Sequence, residues 1–193
     1  MIIIESRRPL LREIHDDDIG VLFQFRNTES FLKNCTFKGR VFSESDFLEE
    51  LKQDFAYDRH LQMMIVDKAT GVSLGTIYSY DFKPVDEYTF MSMFVWTDSA
   101  GRWTAAEAAA AFVFYLFDNF KLFKIYTDVY GYNANTLSIF RRKVFRNEGL
   151  FRGHRKKEGK RVDVHRFALY RDDLDVLRKF YNKLVIKNMD ALT

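Results

Sequence analysis

Residues 105–117 of this 193-residue chain read AAEAAAAFVFYLF, and few folds can accommodate such a stretch. Four consecutive alanines after Glu107 favour helix strongly. Because the helix would be apolar nearly all round, it must be covered on several sides. It contains Glu107 and falls well short of the ~20 residues a membrane span needs, so its cover must be protein. Strand-like segments stand on either side, at residues 88–96 and 123–130. The arrangement expected is a helix laid against a sheet, in a layered α/β domain.

The rest of the pattern supplies the other layers. Residues 10–14 read as a first strand, ended by His15 and an acidic run, Asp16 to Asp18, that suits a helix N-terminus. Ile19, Leu22, Phe23 and Arg26 follow at helical spacing. A second helix begins near Ser43 or Ser45 and places Phe47, Leu48, Leu51 and Phe55 on one face. Residues 27–42 between them read as irregular and aromatic. Strands are expected at 61–66 and 72–80 about a turn at 67–71, and Pro84 and Asp86 mark a further turn. A helix led by Asn133 is expected to run to Phe145. A hairpin follows over 150–154 and 162–170, turning near Lys156-Lys157-Glu158-Gly159. A last amphipathic helix over 172–190 carries Leu174, Leu177, Phe180, Tyr181, Leu184 and Val185.

An apolar content of 47%, with 20 Phe and 10 Tyr, supports a sizeable core in one domain over 1–193, and two Pro with nine Gly leave little room for linkers. Met1-Ile2-Ile3-Ile4 is too short for the apolar core of a signal sequence and runs at once into Glu5, Arg7 and Arg8. A single cysteine, Cys35, allows no internal disulfide, and no His/Cys cluster has zinc spacing. A cytoplasmic, metal-free protein is expected. The net charge of +3 is uneven, because 11 basic residues against three acidic ones fall between Arg141 and Arg166. That segment is a candidate anion-binding face.

Two stretches carry chemistry. In the first, Asp98-Ser99-Ala100-Gly101-Arg102-Trp103-Thr104 leads directly into Ala105 and Ala106, so the first amides of a helix emerge from a polar turn. Such amides lack intrahelical acceptors and sit at the positive end of the helix dipole, which attracts phosphate. The alternative is a helix start capped by its own Thr104-x-x-Glu107 box, with no ligand. The second stretch runs from Tyr132-Asn133 through Phe140, Arg141, Arg142 and Lys143 to Phe145, then Glu148-Gly149.

Together these stretches resemble the GNAT superfamily of acetyl-CoA-dependent N-acetyltransferases, in particular the branch that includes the ribosomal-protein N-terminal acetyltransferases. The family's loop pattern, Gln/Arg-x-x-Gly-x-Gly/Ala and then a small residue, Glu and Ala, falls on Ala100, Trp103, Ala105 and Glu107-Ala108. The branch's downstream pattern falls on Asn133, Thr136, Ile139, Phe140, Arg142, Val144 and Phe145. This chain departs at Ala100 and at Trp103, where the pattern has Gly. Thr136 and Val144 replace a smaller residue and a Gly. The order β, two helices, three antiparallel strands, α, β, α, ββ is similar to the same family over nearly the whole chain. The fold it implies is α/β (α+β), with a mixed, mostly antiparallel central sheet and helices on both faces, extended by the C-terminal helix.

The resemblance implies backbone contacts from Phe94, Val95 and Trp96 to the pantetheine and acyl oxygen of acetyl-CoA. It also implies pyrophosphate on the amides of Gly101, Arg102, Trp103, Thr104, Ala105 and Ala106. Asn133 would hold the pantetheine arm and Arg142 would meet the ribose phosphate. Many members carry Tyr at Phe140 as the acid for the leaving thiolate; here the thiolate leaves toward water, or another group such as Tyr132 serves. Asp128, on one strand face with Tyr126 and Tyr130, is a candidate base, and His165 would titrate near neutrality if it faced the cleft. Arg26, Glu29, Phe31, Asn34 and Phe37 fall where members shape the acceptor pocket.

The activity expected is acetyl transfer to the primary amine of a metabolite, an amino sugar or a peptide N-terminus, by direct attack in a ternary complex. No membrane association is expected, and a homodimer is compatible with the aromatic last helix. Two other readings remain open: a GNAT-fold binding module without transfer, motivated by Trp103 and Phe140, and nucleic-acid binding through residues 141–166.

Overall fold

The computed structural model describes residues 2–34, 39–96, 101–133, 136, 144–179 and 181–182, with backbone alone at 101–103. Its centre is an eight-stranded sheet in the order β1-β2-β3-β4-β5-β6-β8-β7. The strands are β1 (Ile3–Glu5), β2 (Pro9–Glu13), β3 (Arg59–Asp67), β4 (Ser73–Lys83), β5 (Tyr88–Val95), β6 (Lys124–Tyr130), β7 (Arg146–Lys157) and β8 (Lys160–Tyr170). Only β5 and β6 run parallel; the other neighbours are antiparallel. The connection between that parallel pair is α4 (Gly101–Asn119), the helix whose composition demanded cover.

Both faces of the sheet are covered, which explains why Met63, Met64, Ile65 and Val66 are all buried although successive side chains point to opposite sides. Met63 and Ile65 pack with Phe112, Leu116 and Phe117 of α4. Met64 and Val66 pack with Leu22 of α1 (Ile19–Arg26) and Phe47 of α3 (Glu44–Tyr57). Phe112, Leu116 and Phe117 are at most 2% exposed, so α4 is enclosed as its sequence requires. Truncating either Phe to Ala would cost about 3–5 kcal/mol. After β8 the backbone is helical over 174–179, where Leu177 joins the α4 core; Tyr181 meets Phe114 edge-on at 5.8 Å.

Local departures from the sequence pattern have local causes. The N-terminal isoleucines form β1, paired through Ile3 with Arg12. Ser43 is the cap of α3, its hydroxyl accepting from the Asp46 amide at 3.1 Å. Residues read as irregular include a short helix, α2 (Glu29–Asn34), started by Thr28, whose hydroxyl accepts from the Phe31 amide. The last hairpin is longer than expected, with β7 beginning at Arg146, so the expected helix end at Phe145 is a turn. It reverses through Glu158 and Gly159, both in the left-handed region (φ 49° and 79°), as a two-residue hairpin turn of matching twist requires.

Candidate active site

The β5–β6 pairing covers only Tyr88, Thr89 and Phe90 against Lys124, Ile125 and Tyr126. Beyond it β5 stays on β4 as far as Val95, while β6 stays on β8 as far as Tyr130. The two strands therefore part and leave a gap. Ladder parity decides which backbone groups face it. The Trp96 amide donates to Leu74 O at 2.9 Å, one step beyond the Val95–Gly75 pair. With an unbroken register back to Phe90, the even-numbered residues Ser92, Phe94 and Trp96 turn their N–H and C=O groups to β4, and Met93 and Val95 turn theirs to the gap.

Gly75 makes the β4 side of this arrangement possible. A Cβ there would lie 2.3 Å from the Phe94 carbonyl oxygen and 2.9 Å from Val95 Cα. At the far end of β5, α4 begins at Gly101, so the amides without intrahelical acceptors are those of the turn that starts there. Ala105 and Ala106 lie one turn further in, where helical bonding satisfies their amides. Glu107 does not close a box on Thr104. Its carboxylate accepts the Arg7 and Arg8 amides at 2.6 and 3.1 Å, tying α4 to the β1–β2 turn.

Side chains follow the opposite parity. Met91, Met93 and Val95 pack toward α4, whereas Phe94 and Trp96 look into a cavity of about 250 Å³ beneath α1, α2 and α3. Its wall is aromatic. Trp96 stacks on Phe25 at 4.1 Å, with its indole N–H bonded to Ser73 O. Phe94 meets Phe25 at 5.5 Å and Phe31 edge-on at 5.2 Å. Tyr78, Tyr80 and Tyr130 complete that side.

The charges in the cavity are largely committed to one another. Arg26 holds Glu50 through two bonds, at 2.8 and 3.0 Å, and lies 5.6 Å from the Phe31 ring centre. Arg59 donates to Asp54 and to Gln62, and stands 4.3 Å over the Tyr78 ring. At the rim, burial with the nearby charges of Asp81 and Asp54 raises the Asp58 carboxyl above its ordinary value.

A smaller polar annex adjoins, with Ser92, Asp128, Tyr80, Tyr130, Arg155 and Asn34 in its lining. Asp128 is locked to its cross-strand neighbour Arg166 by two 2.8 Å bonds. Burial first, then Tyr78, Asp128 and Tyr130, pushes the Tyr80 hydroxyl well above its ordinary pKa, so it stays a neutral donor.

A family model described as Acetyltransferase (GNAT) domain matches residues 8–145. This chain belongs to the GNAT acetyltransferase family. Its enzyme class is accordingly acyltransferase. Among solved structures it is similar to a GCN5-related N-acetyltransferase from Brucella melitensis, with a TM-score of 0.79, 22% identity, and coverage of 94% of this chain and 84% of that one. It is also similar to spermidine N-acetyltransferase from Vibrio cholerae in complex with CoA and spermine, with a TM-score of 0.75, 18% identity, and coverage of 86% and 97%. A third is RimL, a ribosomal-protein alpha-N-acetyltransferase in complex with coenzyme A, with a TM-score of 0.77, 15% identity, and coverage of 89% and 99%. No curated protein matches the sequence.

In this GNAT chain some of the residues expected from sequence come together and others do not. Arg26, Phe31 and Asn34 come together around the cavity and annex, as do Phe94 and Trp96. Glu29 is exposed at the start of α2, outside that lining. Phe37, Cys35, Phe140 and Arg142 lie outside the described residues. Of the three amides expected to face the coenzyme, that of Val95 turns to the gap, as does that of Met93, whereas those of Phe94 and Trp96 turn to β4.

Tyr132 and Asn133 are already engaged. The Tyr132 hydroxyl donates to Lys33 O at 2.7 Å, and Asn133 Oδ1 accepts the Thr136 amide at 3.2 Å, as a helix cap does. His165 shares its face of β8 with Phe167, which packs with Val129. That face is opposite Val164 and the annex. Among the described residues no group of His, Cys, Asp and Glu could hold a metal, and no helix is long and apolar enough to cross a membrane.

Tyr78, Tyr80, Ser92 and Arg155 were missed at the sequence level. A period-two reading of β4 and β5 would have found the first three, because Tyr78 and Tyr80, like Ser92, Phe94 and Trp96, alternate onto one face.

Proposed function

We propose that this chain transfers an acetyl group from acetyl-CoA to the primary amine of a small acceptor by direct attack in a ternary complex. The observation that carries the proposal is the parting of β5 from β6. The backbone groups of Met93 and Val95 turn to that gap, and Phe94 and Tyr130 on the two parted strands also line the cavity. These residues fit the coenzyme's chemistry: strand amides suit an amide-bearing pantetheine arm, and a helix start suits a pyrophosphate.

Acetyl-CoA brings an already activated thioester, so the protein's work is mainly positioning. A Val95 or Met93 amide aimed at the gap can stabilise a developing oxyanion. The aromatic side of the cavity gives the body of the acceptor a surface to pack against. In the annex lined by Ser92, Asp128 and Tyr80, the incoming ammonium would give its proton to solvent water, which frees the amine lone pair for attack. The acceptor classes named for the solved neighbours, a polyamine and a ribosomal protein, support an amine as nucleophile.

Titration calorimetry with acetyl-CoA tests the reading: saturable binding is expected, and absence of binding at millimolar coenzyme sinks it. Val95→Pro removes one amide from the gap and should weaken coenzyme affinity by about tenfold, the worth of one lost hydrogen bond.

A further inference from the structure

We propose that the acceptor is a small aromatic amine, its ring against Phe25, Phe31, Phe94 and Trp96 and its amino group directed to the annex at Ser92 and Asp128. This assignment rests on the transferase reading and concerns the acceptor side of the same site.

Three observations lead to it. The first is size. A cavity of about 150 Å³ holds one benzene ring, so the 250 Å³ here has room for a ring with a short tail. The second is the wall itself. Phe25, Phe31, Phe94 and Trp96 form a chain of ring contacts at 4.1–5.5 Å, stacked, tilted and edge-on, and a further ring can extend it in the same geometries. These rings also suit a cation held over their faces.

The third is the state of the acidic groups. A polyamine presents several ammonium centres and needs a matching row of carboxylates. Glu50 is bonded twice to Arg26, and Asp54 to Arg59, which leaves Asp58 at the rim. Asp128, in the annex, has both oxygens on Arg166 as well, which leaves the Ser92 hydroxyl beside it for a single amino group. The charge pattern thus fits one amino group near the gap and an uncharged body beyond it. An extended peptide fits less well, because α1, α2 and α3 cover the cavity and the even-numbered β5 backbone groups nearest it are spent on β4.

The test is titration calorimetry of the full chain with 2-phenylethylamine, spermidine and a serine-initiated tetrapeptide, each with and without coenzyme A. Phenylethylamine should bind about tenfold or more tightly than either competitor, the equivalent of one or two good ring contacts. Phe31→Ala should weaken it by about tenfold while leaving the affinity for coenzyme A unchanged. Phe31→Leu, which keeps an apolar cover on the cavity, should lose about threefold if the Ala variant does not fold.

Equal or tighter binding of spermidine or the peptide overturns the assignment, as does a Phe31→Ala variant with undiminished affinity for phenylethylamine. Coenzyme A binding with no response to any aromatic amine also overturns it and leaves the transferase reading standing. Phenylethylamine binding without coenzyme A binding overturns the transferase reading, and with it the role of acceptor, and leaves an aromatic-amine binding site.

Discussion

Gly75→Ala probes the backbone on which the proposed site depends. Gly75 faces Val95 in a pair whose flanking bonds include Trp96 N–H to Leu74 O. An added methyl would sit 2.3 Å from the Phe94 carbonyl oxygen and 2.9 Å from Val95 Cα, both of them backbone atoms that cannot rotate aside. Ordinary contact begins about 1 Å further out than the shorter of these, so β4 and β5 must separate locally. Overpacking of this kind costs about 1–3 kcal/mol, and weakening one or two ladder bonds adds about 1 kcal/mol. A loss of about 2–4 kcal/mol is expected. With a urea m-value near the upper part of its usual range, the unfolding midpoint should fall by about 1 M. Because Met93 and Val95 move with Phe94, coenzyme affinity measured on the still-folded variant should fall as well. An unfolding midpoint within about 0.2 M of the parent would refute the close packing, since such a shift is under about 0.6 kcal/mol. A full loss of stability with unchanged coenzyme affinity would refute the link between this strand and the site.

Other predictions concern groups whose partners are fixed. Glu107→Ala leaves the Arg7 and Arg8 amides without their acceptor and should cost about 2–3 kcal/mol, with faster amide exchange at both residues as the readout. Tyr132→Phe should leave kcat within about threefold and its pH profile unchanged, because the hydroxyl is spent on Lys33; loss of a general acid would cost at least about 100-fold. Asp18, Asp67 and Glu148 should together govern acid stability. Burial opposes the charge of each, but Arg12 on Asp18, Arg8 with the Thr70 and Ala69 amides on Asp67, and Tyr170, Tyr126 and Lys124 on Glu148 outweigh it and hold each carboxyl below its ordinary value. Depressed folded values mean that this stability is fully present above the ordinary values of 3.8 and 4.5 and is lost as pH falls through the lower folded ones. Urea midpoints measured between pH 6 and pH 2 should therefore drop below about pH 4.5, and Glu148→Gln should flatten part of that slope.

Much of this architecture was legible because it rests on period and composition. A helix apolar on all sides between two strands dictated α4 and its burial, and the acidic run and Ser43 marked helix starts. What was not legible depends on register. Nothing in the sequence of β5 says that its pairing with β6 stops at Phe90, or that Val95 rather than Phe94 turns its amide to the gap; both follow from pairings with β4 and β6 made far away in the chain. Glu107 illustrates the same limit. Its spacing from Thr104 suggests a local cap, but the enclosed helix brings its carboxylate within reach of the β1–β2 turn, about 100 residues away. The Asp128–Arg166 pair likewise appears only once β6 and β8 lie side by side.

The short parallel junction also shapes how the molecule comes apart. β1 to β5 form a run of antiparallel neighbours, and β6, β8 and β7 form another; among the described residues only the Tyr88–Phe90 pairing with Lys124–Tyr126 joins the two ladders within the sheet. The junction is three residue pairs long, where the ladders on either side of it, β4–β5 and β6–β8, run to seven each, and the element with fewer backbone bonds opens first. Partial opening should accordingly begin at this seam, which would show as exchange-labile amides in β6 while β3 and β4 remain protected. A ligand seated between β5 and β6 would bridge two folding units, so its binding would be felt as added cooperativity of unfolding as well as added stability.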